Sequence, residues 1–452
     1  MSFCRCVAAA PSAQRPFPMT PEEFAARRRQ LMRMIGEDGI AIFPAAPRRK
    51  RNRDIDYPFR QDSDFFYLTG FAEPDAVGVL MPGREQGEFL LFCRERDPAH
   101  EAWHGAVTGP DAAPSSLMAD DAFPIDDIDD ILPGLLEARP RVYVTMGQYA
   151  EFDGRLTEWL NMLRRMARSG SAHTPQEFVA LDHLLHDMRL YKSRRELSAL
   201  RRSARVTVAA HERAMQNVRP GWFEFQLEAE FDHEFRGANA RHAYPPIVGG
   251  GTNACILHYT ANDSELAAGD LVLVDAGCEL DYYAADVTRT YPVSGRYSSE
   301  QAAIYEVVLA AQLAAIEMLR AGNHWNDPHD AARKAIAEGL IDLGLLHGST
   351  DAALETDAVD EFFMHRTGHW LGIDVHDVGD YRVGDQWRVL EPGMVSTVEP
   401  GVYVSHQADV DERWHGIAVR IEDVVAVTRD APDVLTGTLV KRVDDIEAVM
   451  NG

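Results

Sequence analysis

Apolar positions along this chain follow two rhythms, and the changes between them mark out its elements. In the first third, short apolar runs at 39–44, 76–81, 89–93 and 142–146 read as strands. Helical spacing lies among and after them, at 20–35, 125–137 (weakened by Pro133) and 154–168. The first helix has a start signal, Thr20-Pro21-Glu22-Glu23: Thr20 can cap, Pro21 suits the first turn, and Glu23 can close a capping box. Residues 1–19 mix Pro11, Pro16 and Pro18 with small residues and read as a loose arm. The pattern predicts a smaller α/β N-terminal domain with a mixed sheet, residues 1–175, ending near a small polar break at 170–174. Residues 176–191 read as helical and open the second domain, 176–452.

From Lys192 the rhythm changes. Ser193-Arg194-Arg195-Glu196 is a capping box opening a long helix to about 217, and 223–238 forms a second amphipathic stretch. Strand-like runs fall at 271–276 and 285–292. Ser298 with Gln301 caps a third helix reaching about 319, and a fourth covers 328–343. Further strands read at 395–399, 402–404 and 417–428. A helix pair followed by a hairpin thus occurs twice. Its period is too long for a solenoid, so a pseudo-symmetric α+β domain is expected.

Charge removes some partners. The 452 residues carry a net charge of −26, from 45 basic and 71 acidic side chains. Such a chain suits neither a phosphate backbone nor an anionic membrane, and solubility is the plain reading of the excess. The five cysteines (Cys4, Cys6, Cys93, Cys255 and Cys278) are scattered with no zinc-type pair, and read as free thiols in a reducing compartment. No signal-type apolar segment opens the chain, and no apolar run approaches the ~20 residues of a membrane span. A cytoplasmic location is expected.

The acids add chemistry to this frame. Residues 268–277 read Ala-Gly-Asp-Leu-Val-Leu-Val-Asp-Ala-Gly, and 392–401 read Pro-Gly-Met-Val-Ser-Thr-Val-Glu-Pro-Gly. Each has a glycine, a β-rich run, an acid, one residue and a glycine. Asp275 and Glu399 therefore end strands, and each is followed by a second acid on another strand, Asp286 or Glu422. A turn centred on Leu280 and Asp281 would set Asp275 opposite Asp286 on one face. Like charges there need a counter-charge or a proton, and a divalent cation supplies the former. In the alternating segment 419–424, Arg420 and Glu422 share a face. Four acids from two matching hairpins would converge across a pseudo-two-fold axis, with His369 on offer as a fifth ligand.

His365, His369 and His376 crowd one segment, and His258 precedes the first acidic strand. His365 and His369 have the four-residue spacing of a zinc metalloprotease helix, but no Glu follows His365, and Gly368 and Gly372 oppose a helix. Four carboxylates and one imidazole make a hard donor set suited to Mn²⁺, with Co²⁺, Zn²⁺ or Fe²⁺ as rivals. Two such ions would lower the pKa of a shared water and clamp a tetrahedral intermediate, which is hydrolase machinery. Gly249-Gly250-Gly251 reads as a flexible loop on the substrate side.

These motifs resemble a known family. The second half is similar to the pita-bread metallopeptidases in Ile256-Leu257-His258-Tyr259-Thr260, Val274-Asp275-Ala276-Gly277, Ala285-Asp286-Val287-Thr288, Gly368-His369-Trp370-Leu371-Gly372, Asp374-Val375-His376-Asp377, Thr397-Val398-Glu399-Pro400-Gly401 and Arg420-Ile421-Glu422-Asp423. With Tyr57-Pro58-Phe59-Arg60-Gln61 and Ser63-Asp64-Phe65-Phe66-Tyr67-Leu68-Thr69-Gly70, the chain from about 20 to 449 resembles the Xaa-Pro aminopeptidase (aminopeptidase P) family. The arm before residue 20 and the 165–170 loop depart from it.

The resemblance implies a pita-bread catalytic domain and a dinuclear-metal hydrolase that frees the first residue from peptides with proline second. By position, Asp275 would hold one metal, His369 and Glu399 the other, and Asp286 and Glu422 both. Glu399 would take a proton. His258, His365 and His376 would position substrate and stabilise the oxyanion. Arg420 would hold the metal carboxylates, and Tyr403 would serve there or on the substrate side. Asp54, Tyr57, Arg60 and Trp103 match residues that approach a neighbour's active site in family oligomers, so a dimer or tetramer is implied. The nearest rival is a prolidase, restricted to Xaa-Pro dipeptides. A non-catalytic binding module of the same fold is a further alternative.

Overall fold

The computed structural model describes residues 19–452 except 138, 169, 171 and 172. Residues 1–18 of the expected arm, with Cys4 and Cys6, and part of the expected 170–174 break lie outside the described residues.

The first domain is built on a six-stranded mixed sheet, ordered 121–124, 89–93, 77–80, 39–44, 141–143, 177–179. Alternation along each strand feeds two cores. Ile40, Ile42, Val79, Leu90 and Phe92 face helices Ile128–Leu136 and Ala150–Ala167. Ala41, Phe43, Leu80 and Leu91 face helices Pro21–Ile35 and Ser63–Thr69. Helix Pro21–Ile35 starts where expected, but Thr20 makes no side-chain cap bond; its carbonyl accepts from Glu23 N at 2.9 Å instead. The expected helix over 176–191 is two elements. Glu177–Val179 pairs in parallel with Arg141–Tyr143, and only Asp182–Leu190 is helical. The first domain's sheet therefore runs past the expected boundary at 175.

The second core of that sheet is shared with the second domain, joining Phe65 and Phe66 to Leu200, Tyr283, Leu371 and Val424. Polar ties reinforce it. Buried Arg27 reaches Tyr283 Oη at 3.2 Å and Glu196 at 3.3 Å, and Arg189 bridges Asp64 to Asp374 and Asp377.

The second domain repeats its units as expected. Helices Arg194–Asn217 and Glu224–Gly237 precede the hairpin Leu271–Asp275 with Thr288–Pro292. Helices Ser299–Met318 and Asp327–Asp342 precede the hairpin Val395–Val398 with Asp423–Ala426. Ser193 and Ser298 both complete their capping boxes. Against expectation, one helix among the described residues, Ser299–Met318, is long and apolar enough to cross a membrane by length and composition. Here it is a core helix, carrying buried Ile304, Val308 and Ala315, with Gln312 Nε2 donating to Asp423 at 2.8 Å.

Three expectations about backbone are corrected. Gly249 and Gly250 are not a flexible loop; strand Ile247–Gly250 pairs with Leu271–Asp275, and a Cβ on Gly249 would meet Ala254 N at 2.9 Å. The first hairpin turns at Asp281 and Tyr282, both at positive φ (54° and 68°), one residue later than read from the sequence. Asp275 therefore pairs with Thr288, and Asp286 lies diagonally two places on, not opposite. In the second hairpin Val398 pairs with Asp423 and Gly401 with Arg420, so the register does set Glu399 opposite Glu422. The expected continuous strand 417–428 is broken at Ile421 and Glu422, where the partner strand carries Pro400 and its missing N–H.

Candidate active site

Both hairpins end at one cavity of about 630 Å³. Its wall includes Asp275, Asp286, His369, Glu399 and Glu422, together with His258, His365, His376 and Arg420. The two halves are stitched where strand Thr288–Pro292 meets Ala418–Arg420: Glu422 N donates to Thr288 O at 3.0 Å, and Thr290 Oγ1 to Arg420 O at 3.0 Å.

The ligand-type atoms of Asp286, His369 and Glu422 all lie within 4.8 Å of one another. His369 Nε2 is 3.3 Å from Asp286 Oδ2 and 3.5 Å from Glu399 Oε1. Its Nδ1 lies 3.0 Å from the Trp370 carbonyl, which accepts only; the Nδ1 proton is fixed there and Nε2 is turned to the acids. Two hydroxyls aim carboxylates: Thr288 Oγ1 donates to Glu422 at 2.7 Å and Thr397 Oγ1 to Glu399 at 3.2 Å. Gly368 lets the His369 segment approach, since a Cβ there would meet Thr397 O at 2.1 Å.

Compensation among the acids is unequal. Burial pushes Asp275 up, but Arg420, donating to its Oδ2 at 2.7 Å, and Tyr244 outweigh that and hold it below the usual carboxylate range. Burial, then the charge of Asp275, raises Asp286. Burial carries Glu399 up to about 7 despite His369. Burial and the charges of Asp286 and Glu399 lift Glu422 well above the ordinary value. Burial opposes protonation of His369, yet Asp286 and Glu399 hold its imidazolium up to about 9. Buried Asp286 and Glu422 and partly buried Glu399 thus lack a full counter-charge among the described residues. Hard oxygen donors and one imidazole, short of positive charge, fit divalent cations.

Behind the acids runs a hydrogen-bonded chain. Arg420 Nη1 donates to Tyr403 Oη at 2.9 Å, and Tyr403 Oη lies 2.9 Å from His365 Nε2. The Arg366 carbonyl takes the Nδ1 proton of His365 at 2.8 Å, so Tyr403 donates to Nε2. Burial, with Arg420 nearby, lowers His365 to about 4 and keeps it neutral at pH 7. His376 meets His369 edge to face, with ring centroids 4.3 Å apart; burial and then His369 lower it. His258 is exposed on the same wall.

Not every expected residue is here. Tyr403, expected beside Arg420 or on the substrate side, is 2% exposed and stands behind His365 and Arg420 rather than on the wall. Trp103 is 86% exposed on helix Pro98–His104, and Asp54 is exposed in the loop after Lys50; neither lines the cavity of its own chain. Tyr57 is exposed as well, but Arg60 is held inside the chain by Glu279 at 2.8 Å and Asp374 at 3.4 Å.

Sequence reading missed Tyr244. Its hydroxyl is 2.6 Å from Asp275 Oδ1 and 2.5 Å from Asp286 Oδ1, joining the diagonal acids. Burial and both carboxylates raise it well above its ordinary value, so it stays a donor. The following Pro245-Pro246 marks an extended segment but nothing in the sequence aims the ring. The cavity's aromatic side, Trp325, Tyr381 and Trp387, was missed too. Thr288 and Thr397 had a signal: each stands two residues from an acid, on the same strand face.

Comparison with known proteins bears on this geometry. The model of metallopeptidase family M24 matches residues 198–429, and that of the aminopeptidase P N-terminal domain matches 24–143. The Xaa-Pro aminopeptidase of Escherichia coli K12 is 42% identical over 431 residues, covering 95% of this chain and 97% of the relative. Aminopeptidase PepP of Pseudomonas aeruginosa superposes with a TM-score of 0.95 at 55% identity, covering 96% of this chain and 99% of that one. An Escherichia coli aminopeptidase P variant in complex with substrate superposes with a TM-score of 0.93 at 42% identity, covering 96% and 98%.

Proposed function

Because the chain belongs to metallopeptidase family M24, we propose that it is a metallo-exopeptidase releasing the first amino acid from peptides with proline in second place. The observation that carries this reading is the meeting of Asp275, Asp286, His369, Glu399 and Glu422 on one cavity wall with too little positive charge of their own.

Those five residues would hold two divalent cations, with Mn²⁺ preferred by the donor set and Co²⁺, Zn²⁺ or Fe²⁺ as rivals. When bound, the cations supply the missing counter-charge and lower the pKa of water at the site. The protein's own groups do the rest. Glu399 accepts a proton during attack on the carbonyl before proline. Arg420 and Tyr244 fix Asp275, and Thr288 fixes Glu422. His258, His365 and His376 line the side on which a carbonyl oxygen gains charge, and Tyr403 holds His365 in its neutral tautomer. The amide before proline has no N–H, so a wall of Ile247, Leu257, Val375 and Trp325 can receive the ring without leaving a buried donor unpaired. Exposed Tyr57 and Trp103 support assembly with further copies of the chain.

Incubation with Mn²⁺ and an Xaa-Pro tripeptide tests the reading. The native chain should release the first residue, and Asp286→Ala should not. Cleavage of Xaa-Pro dipeptides alone would favour a prolidase; equal release by both proteins would refute the metal assignment.

A further inference from the structure

The rim of the catalytic cavity carries two cations with no acid of their own. Arg366 is exposed and lines the cavity; Arg382 is exposed beside Tyr381, another lining residue. Both guanidinium groups lie over the ring of Trp387, at 5.3 Å and 3.9 Å. The short hairpin Arg382–Val383 with Gln386–Trp387 sets Arg382 directly across from Trp387. Among the described residues neither arginine makes an ion pair, although Asp380 precedes the hairpin and Asp385 lies in its turn. By contrast nearby Arg333 is bound by both Asp357 and Asp360 at 2.8 Å. Arg366 touches Asn326 Oδ1 at 2.5 Å, and the Asn326 amide turns on to Asp330, so even that acid is kept one residue away. In a chain of net charge −26, two guanidinium groups stacked on one indole and paired with no acid among the described residues form an arrangement with vacant donors.

We propose that Arg366 and Arg382, held on Trp387, select peptides that bring a carboxylate to the cavity rim. This deepens the Xaa-Pro reading and rests on it. A guanidinium keeps several N–H donors in one plane, and a carboxylate accepts two of them side by side. Arg366 has one nitrogen tied to Asn326, which leaves its other donors for substrate. The indole orients both cations and shields one face of each from water. The carboxylate has two possible sources, the free C-terminus of a short peptide or an acidic side chain.

The test uses the full-length metal-loaded chain and three substrates: an Xaa-Pro-Ala tripeptide, its C-terminal amide, and the amide with Asp in third place. At low ionic strength kcat/KM for a carboxylate-bearing substrate should exceed that for the neutral amide by about tenfold, mainly through KM. Preference for the free acid assigns the C-terminus; preference for the Asp-containing amide assigns the side chain. Arg366→Gln and Arg382→Gln should each shrink the preference, and added salt should do the same. Equal kcat/KM for all three substrates, or a preference unchanged in both variants, would overturn the inference while leaving the peptidase reading intact. No release from any of the three would overturn that reading and the inference with it.

Discussion

Glu422 and Asp423 are neighbours in the chain, both almost without exposure, and they live in opposite electrostatic worlds. Asp423 points away from the cavity. Arg289 Nη2 donates to it at 2.8 Å, as do Lys441 and Gln312, and Thr436 Oγ1 donates at 2.7 Å. Burial alone would raise it, but Arg289 and Lys441 prevail and hold it far below the usual carboxylate range. Glu422 points into the cavity with one hydroxyl for company, and burial with its acidic neighbours drives it the other way. Where the fold supplies the counter-charge, an acid is part of the frame. Where it withholds one, the acid is kept for a charge arriving from outside.

Substitution should separate the two most sharply in activity. Glu422→Gln is expected to lose metal and peptidase activity to background, while the melting temperature of the metal-free protein does not fall. Asp423→Ala should instead cost about 3–5 kcal/mol of folding stability, because it strands Arg289 in the interior. A similar stability loss in both variants would erase the distinction. The pH dependence sharpens it. Asp423 and Asp377, the latter depressed by Lys192 and Arg189 against the pull of burial, contribute stability above the ordinary Asp value of about 3.9. That contribution drains away as pH falls through their lower folded values. Denaturant titrations should therefore give a falling unfolding free energy below about pH 4, with a flatter slope in Asp423→Asn. The smallest effect is expected from Gln312→Leu, which removes one of several donors to Asp423 and should cost about 1–2 kcal/mol in thermal or chemical unfolding.

The sequence made the duplicated acids, the two capping boxes and the apolar strands legible because each is a local pattern. What it hid depends on chain geometry at a distance. The offset between Asp275 and Asp286 follows from two residues, Asp281 and Tyr282, adopting a conformation that non-glycine residues seldom take. Tyr244 reaches those acids only because strand Ile247–Gly250 adds to the same sheet. The segment 176–191 carries apolar residues compatible with either period, and the free edge beside Arg141–Tyr143 drew its first part into a strand. Tyr403 stayed open between the support of Arg420 and the substrate side because nothing local says that Arg420 and His365 close in front of it.

The tip of the first acidic hairpin has a consequence for the molecule as a whole. Tyr282 stacks on Phe66 with centroids 3.6 Å apart, its hydroxyl accepts from Gln61 N at 3.3 Å, and Glu279 is gripped by Arg60. Asp275 and Asp286 sit at the other end of that lever. The smaller domain is therefore an abutment for the catalytic hairpin: shorn of it, the larger half would keep every acid and lose the brace that keeps two of them in line.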